Sequence, residues 1–142
     1  MLGLGLKRKG MMSQWSKTLG PELIVNGNFN IASGSGVGWT ASSGATTTGG
    51  VGTMPNGGGT LTQNILTTGK LYRFELIARS SAGGKIKVIN NGVIFLENYN
   101  NILPVTYVKH SADFTAAAAD FTIGELGGSD LIVDSVSVKE LI

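Results

Sequence analysis

The chain has no cysteine and a single histidine in 142 residues. Without cysteine it can build neither a disulfide nor a thiolate zinc site, and its redox compartment is not written in the sequence. Charged residues make up 14%, against about 25% in ordinary globular domains. Two arrangements tolerate so little charge: a subunit packed among other subunits, and a Thr/Ser/Gly-rich sandwich with an uncharged polar face. No apolar run approaches the roughly 20 residues of a membrane helix. The opening "MLGLGLKRKGMMSQWSKTLG" puts its short apolar part before its charges and lacks the ordered regions of a signal peptide. Any exit from the cell is therefore expected by a route such as lysis. Two tryptophans and three tyrosines are few for a dedicated carbohydrate binder.

What is present is enough for one domain with a real core, since 42% of residues are hydrophobic. Charge is unevenly placed. Lys7, Arg8, Lys9 and Lys17 are the only charged side chains of the first twenty residues, and the rest holds seven basic and nine acidic ones, a balance of −2. The net charge of +2 thus describes a leading arm and not the body. Eleven of the 22 glycines fall between Gly27 and Gly59. That density excludes helix there and leaves short strands joined by tight turns.

Period-two alternation dominates the remainder. In "KLYRFELIAR", Tyr72, Phe74, Leu76 and Ala78 share one face, and Leu71, Arg73, Glu75, Ile77 and Arg79 the other. "KIKVINNGVIFLE" predicts a hairpin about Asn91-Gly92, a pair that tolerates positive φ at both turn positions. "VTYVKHSADFT", "ADFTIGEL" and "DLIVDSVSVKEL" continue the pattern. Helical candidates are limited to Met11 to Thr18 and a turn at Ala116 to Ala119, the latter better read as a loop between strands. Eight or nine short strands without helices predict an all-β, two-sheet antiparallel jelly-roll sandwich, residues 21–142, preceded by an extended N-terminal arm, residues 1–20.

"ELIVNGNFN" followed by "GVGWT", then "LTQNILTTGKLYRFELIARS" and "DLIVDSVSVKEL", together resemble the carbohydrate-binding-module-like (galactose-binding-like) jelly rolls. These domains recur in bacteriophage virion proteins and in modular glycosidases. The resemblance implies a core of Phe29, Trp39, Leu61, Tyr72, Phe74, Phe114, Phe121, Val136 and Val138. It assigns Gly27 to the turn after the first strand. Gln63 falls on a strand, facing the interior or a concave binding face.

The same resemblance sets Asp134 beside the first strand, near Glu22, Asn26 and Asn28, where some members hold a structural calcium. Such an ion needs six to eight oxygens, so Asp134, Glu22, Asn26 and Asn28 form a candidate calcium set. The alternative is that Asp134 accepts backbone N–H groups of the Asn26 to Asn28 turn, without metal. For glycan binding the candidate loop is "ENYNN", with Tyr99 flanked by Asn98 and Asn100, aided by Gln63.

Catalysis finds little support. His110 points to the opposite face of a strand from Asp113 and from the adjacent Ser111, so local spacing implies no Ser–His–Asp arrangement. Paired carboxylates could be assembled in space from nine acids. "GGVG" and "NGGG" lack the strand–loop–helix context and the lysine of a phosphate-binding loop. A non-enzymatic protein is expected.

"LGLGLKRKG" cannot fold alone, because three leucines among glycines bury little. Leu2, Leu4, Leu6 and Trp15 are candidates to dock on a neighbouring subunit, with Lys7, Arg8 and Lys9 facing acidic groups and nucleic acid the less favoured counterpart. The function expected first is a structural protein located in the bacteriophage virion, a capsid decoration or tail-associated component. It would be homo-oligomeric, anchored to other virion proteins through the arm, and without a membrane role. The alternative is a carbohydrate-binding module for host surface glycans.

Overall fold

The structure, a computed structural model, describes residues 17–31, 38–97 and 103–142, with backbone alone for 95–97. Ten strands form two five-stranded antiparallel sheets. They are β1 (Leu19–Glu22), β2 (Thr40–Ser42), β3 (Gly52–Met54), β4 (Thr60–Asn64), β5 (Leu71–Ser80), β6 (Ile86–Asn90), β7 (Val93–Glu97), β8 (Val108–Thr115), β9 (Asp120–Glu125) and β10 (Leu131–Leu141). The first sheet runs β1-β10-β5-β8, with β3 also paired to β10, and the second runs β2-β4-β9-β6-β7. This is the expected jelly-roll sandwich, and no helix occurs among the described residues.

The β5 alternation is unbroken: Tyr72, Phe74, Leu76 and Ala78 are buried and the residues between them half-buried. Across the interior they meet Phe121, Ile123, Ile86, Val88 and Leu61, all fully buried. Phe74 lies 5.9 Å from the Phe121 ring and 6.3 Å from Phe114. Every expected core residue is buried except Phe114, which sits on the edge strand β8 and packs against the core while half-covered. Asn91 and Gly92 have φ of 53° and 71°, as the predicted hairpin requires. Ala116 to Ala119 forms a loop between β8 and β9.

Two boundaries differ from expectation. β1 begins at Leu19, and Thr18 exchanges backbone hydrogen bonds with Ile142 (3.1 and 2.9 Å). The body therefore reaches at least two residues into the segment expected as arm. β10 carries a bulge: its pairing with β5 slips between Val133 and Ser135. A bulge lets two residues oppose one and shifts the alternation by one. Leu131 and Val133 are buried on one side of the slip, Val136 and Val138 on the other, and Asp134 is extruded to solvent.

Candidate functional site

The bulge overturns the placement of Asp134. Straight alternation sets it in line with Val136 and Val138, but the extra residue turns it out, and the Asn26 to Asn28 turn is tied to β10 without it. Val136 N–H donates to the Gly27 carbonyl at 2.8 Å. The carboxylate that closes the fold is Glu22. Its Oε1 accepts the N–H groups of Leu23 (3.1 Å), Ile24 (3.0 Å) and Val138 (2.8 Å), and its Oε2 accepts the Ser137 hydroxyl at 2.5 Å.

An open recess of about 510 Å³ lies beside this knot, lined by Glu22, Asn26, Asn28, Asn30 and Ser135 among others. Three of the four candidate calcium ligands thus come together, and Asp134 does not join them. The oxygens present are already committed. Asn26 Oδ1 accepts Ile31 N–H at 3.2 Å, Asn28 Oδ1 accepts Asn30 N–H at 3.3 Å, and Glu22 is saturated by four donors. The buried polar atom here without a partner is Asn26 Nδ2, a donor that repels a cation. The described residues do not fit a calcium ion, and among them no group of three acidic or histidine side chains is positioned for a metal.

Gln63 is also structural. It is buried on β4, and its amide bonds both backbone groups of Val25, accepting its N–H at 3.1 Å and donating to its carbonyl at 2.7 Å. The side chain acts as a strand edge for the segment after β1 and offers nothing to a ligand. Trp39, stacked 5.7 Å from Phe29, donates its indole N–H to the Asn26 carbonyl at 3.1 Å. The remaining glycan candidates, Asn98, Tyr99 and Asn100, and the arm candidates Leu2, Leu4, Leu6, Lys7, Arg8, Lys9 and Trp15 lie outside the described residues.

On β8, His110 faces inward and half-buried, opposite Leu76, whereas Ser111 and Asp113 face out. Asp113 is engaged by Arg73 in a two-pronged pair at 2.7 and 3.0 Å, which holds its carboxyl below the usual range. His110 Nε2 is buried with no hydrogen-bond partner, and burial pushes the imidazole pKa down. The unfolded chain therefore binds this proton more tightly than the folded one. Stability should be level above the ordinary histidine pKa of about 6.5 and fall as pH drops through that value toward the lower folded one. Denaturant melts from pH 8 down to about pH 5 should show this acid slope flattened in His110→Leu; an unchanged slope would locate it elsewhere.

The two outer faces differ sharply. On the first sheet Arg73, Glu75, Arg79, Lys109 and Asp113 line β5 and β8, knitted by Arg73–Asp113 and by Lys109–Glu75 at 3.0 Å. The second sheet instead carries hydroxyl rows. Register places Thr40, Thr62, Thr122, Ile89 and Ile94 side by side across its five strands, and Ser42, Thr60, Gly124 and Lys87 in the next row. Neighbours in a row stand about 4.8 Å apart. Thr62 and Thr122 hydroxyls bond at 2.8 Å, and Ser42 bonds Thr60. Gly124 makes a gap into which the Lys87 stem and the Thr60 methyl crowd, 2.8 and 3.0 Å from where a Cβ would stand. The sequence signal for this face was the Thr-x-Ser and Thr-x-Thr spacing of β2 and β4, legible only once the strands are known to be neighbours.

No family model and no curated protein sequence matches the chain. Among solved structures it is similar to a CBM4 module, with TM-score 0.51 and 19% identity over 72% of this chain and 94% of that one. It is similar to the CBM22-1 xylan-binding domain from Paenibacillus barcinonensis Xyn10C, with TM-score 0.55 and 13% identity over 89% and 96%. A third is the K3 cleaved adhesin domain of Lys-gingipain from Porphyromonas gingivalis W83, with TM-score 0.63 and 13% identity over 84% and 98%. At these identities the likeness is one of fold, a two-sheet antiparallel jelly-roll sandwich.

Proposed function

We infer that the chain is a non-catalytic glycan-binding module, with the outer face of the second sheet as its binding surface. The observation that carries this reading is the pair of hydroxyl rows on a nearly uncharged face, with Thr40 and Ser42 exposed, Thr60 and Thr62 half-buried and Thr122 buried. The structural likeness to a xylan-binding domain, spanning 96% of that domain, supports it. Asn98, Tyr99 and Asn100 follow directly on β7, the edge strand of this same sheet, and Tyr99 is proposed to supply a stacking ring.

This places the alternative reading of the sequence ahead of the virion one. Attachment to capsid or tail subunits rests on residues 1–20 alone, and none of the three structures named above is a virion protein. A virion role stands as a proposal tested by truncation of those residues and assay of particle incorporation.

Retention on xylan and a panel of neutral glycans tests the binding reading. Thr60→Val with Thr62→Val keeps shape and removes two hydroxyls, so retention should fall about tenfold, at roughly 0.5–1.5 kcal/mol per hydrogen bond. Loss of the Thr62–Thr122 and Ser42–Thr60 hydrogen bonds should lower the melting temperature by about 3–10 °C, so retention is compared well below both melting temperatures. No retention by the unaltered protein, or full retention by the variant, would overturn the assignment.

A further inference from the structure

The charges on the outer face of the first sheet balance. Arg73, Arg79, Lys109 and Lys139 stand against Glu22, Glu75, Asp113 and Asp134. Arg73 is paired with Asp113 and Lys109 with Glu75, and Lys139 is in register with Glu22. Arg79 and Asp134 are left over at one end of the sheet. Neither side chain forms an ion pair or a hydrogen bond among the described residues.

The bulge and Tyr107 set the spacing of these two groups. Val133 pairs with Ala78 and Ser135 with Ile77, so the extra residue Asp134 projects beside Ile77. Bulges recur next to functional sites, where they re-aim a side chain. On the other side of β5, Val108 pairs with Ala78, which sets Tyr107, one residue earlier, next to Arg79. The Arg79 guanidinium rests 5.4 Å from the centre of the Tyr107 ring instead of pairing with Asp134. Tyr107 is 43% exposed, the one exposed aromatic side chain among the described residues. It is fixed by the segment before it: Leu103 is buried, its N–H bonds the Gly84 carbonyl at 3.0 Å, and Ser80 N–H bonds the Pro104 carbonyl at 3.0 Å. A guanidinium resting on an aromatic ring keeps its N–H edge free for a further acceptor. Between that edge and the Asp134 carboxylate lies a floor of Ile77 and Ile132, both half-buried. Tyr107 and Asp134 stand on either side of β5, about 10 Å apart.

We propose that this end of the first sheet is a second glycan site, which holds two adjoining units of a neutral oligosaccharide. One ring lays its C–H face against Tyr107 while its hydroxyls accept from Arg79. The next lies over Ile77 and Ile132 and donates a hydroxyl to Asp134. One cation and one anion, unpaired with each other, suit a ligand whose hydroxyls both donate and accept and which carries no net charge. An anionic polymer would lose at Asp134 what it gains at Arg79. A peptide strand needs an unpaired sheet edge to lie along, and β5 is flanked here by β8 and β10. The class of ligand rests on the glycan-binding reading, whereas the site itself, on the opposite sheet from the hydroxyl rows, does not.

The test titrates the full, isotope-labelled chain with xylohexaose, cellohexaose and mannohexaose, and with polygalacturonate as the acidic comparison, following amide chemical shifts. At least one neutral oligomer should shift Ile77, Arg79, Tyr107 and Asp134, and polygalacturonate should bind there no more tightly. Tyr107→Ala, Arg79→Gln and Asp134→Asn should each weaken the binding read at these signals about fivefold to tenfold, and Tyr107→Phe should preserve it. The melting temperature of Asp134→Asn should stay within about 2 °C, which separates a ligand contact from a structural one. The proposal is overturned if none of the three neutral oligomers shifts these signals, or if Tyr107→Ala binds undiminished. It is equally overturned if polygalacturonate binds there more tightly than every neutral oligomer. Signals of Thr40, Thr60 and Thr62 report the hydroxyl rows in the same spectra. Shifts there alone sink this second site and leave the first standing, and shifts here alone do the reverse.

Discussion

Replacing Gly27 with alanine should lower the melting temperature by about 6–12 °C, the equivalent of roughly 3 kcal/mol in a domain of this size. A Cβ at this position would stand 2.2 Å from the Val136 carbonyl oxygen and 3.0 Å from the Ile24 methyl. The first obstacle is backbone, not a side chain that can swing aside. Relief requires the turn to move away from β10, which breaks the Val136–Gly27 hydrogen bond of 2.8 Å. Gly27 has no positive φ among the described glycines, so the demand is for space and not for a left-handed conformation. Thermal melts followed by circular dichroism measure the shift; a melting temperature within 2 °C of the unaltered protein (about 0.5–1 kcal/mol) would show that the turn relaxes freely.

The second large effect belongs to Glu22. Two of its four accepted hydrogen bonds, from Val138 N–H and the Ser137 hydroxyl, join the first strand to the last, and the other two brace the turn at Leu23 and Ile24. Glu22→Ala leaves Val138 N–H and the Ser137 hydroxyl without their acceptor, and should destabilise by about 2–3 kcal/mol after allowance for solvent at this partly open site. Asp134→Asn, at an exposed position on the bulge, should change stability by less than about 0.5 kcal/mol. Denaturant titration of the two variants side by side decides the matter. Equal losses, or a larger loss at Asp134, would return the fastening role to Asp134.

These two variants mark where sequence reading succeeded and where it stopped. The strand pattern was legible because alternation is a local property: Tyr72, Phe74, Leu76 and Ala78 announce a buried face whichever strand lies beside them. Asn91-Gly92 was legible for the same reason, since the turn conformation belongs to the dipeptide. Glycine density marked turns and short strands, and the described residues 27–31 and 38–59 form them. Asp134 was misplaced because one bulged residue reverses the phase of everything beyond it, and a bulge is set by the pairing of β10 with β5. Gln63 was offered to a ligand because its partner, the backbone of Val25, is 38 residues away.

The amino-acid sequence by itself determined the element type, the aromatic core and the sandwich class, since each follows from near-neighbour sterics and the burial of apolar side chains. Only the tertiary structure decided which carboxylate closes the fold, which amide is spent on the backbone, and which threonines stand in rows on one face. Those outcomes depend on which strands become neighbours, and a hydrogen bond a few ångströms long between residues more than a hundred positions apart leaves no periodic trace along the chain.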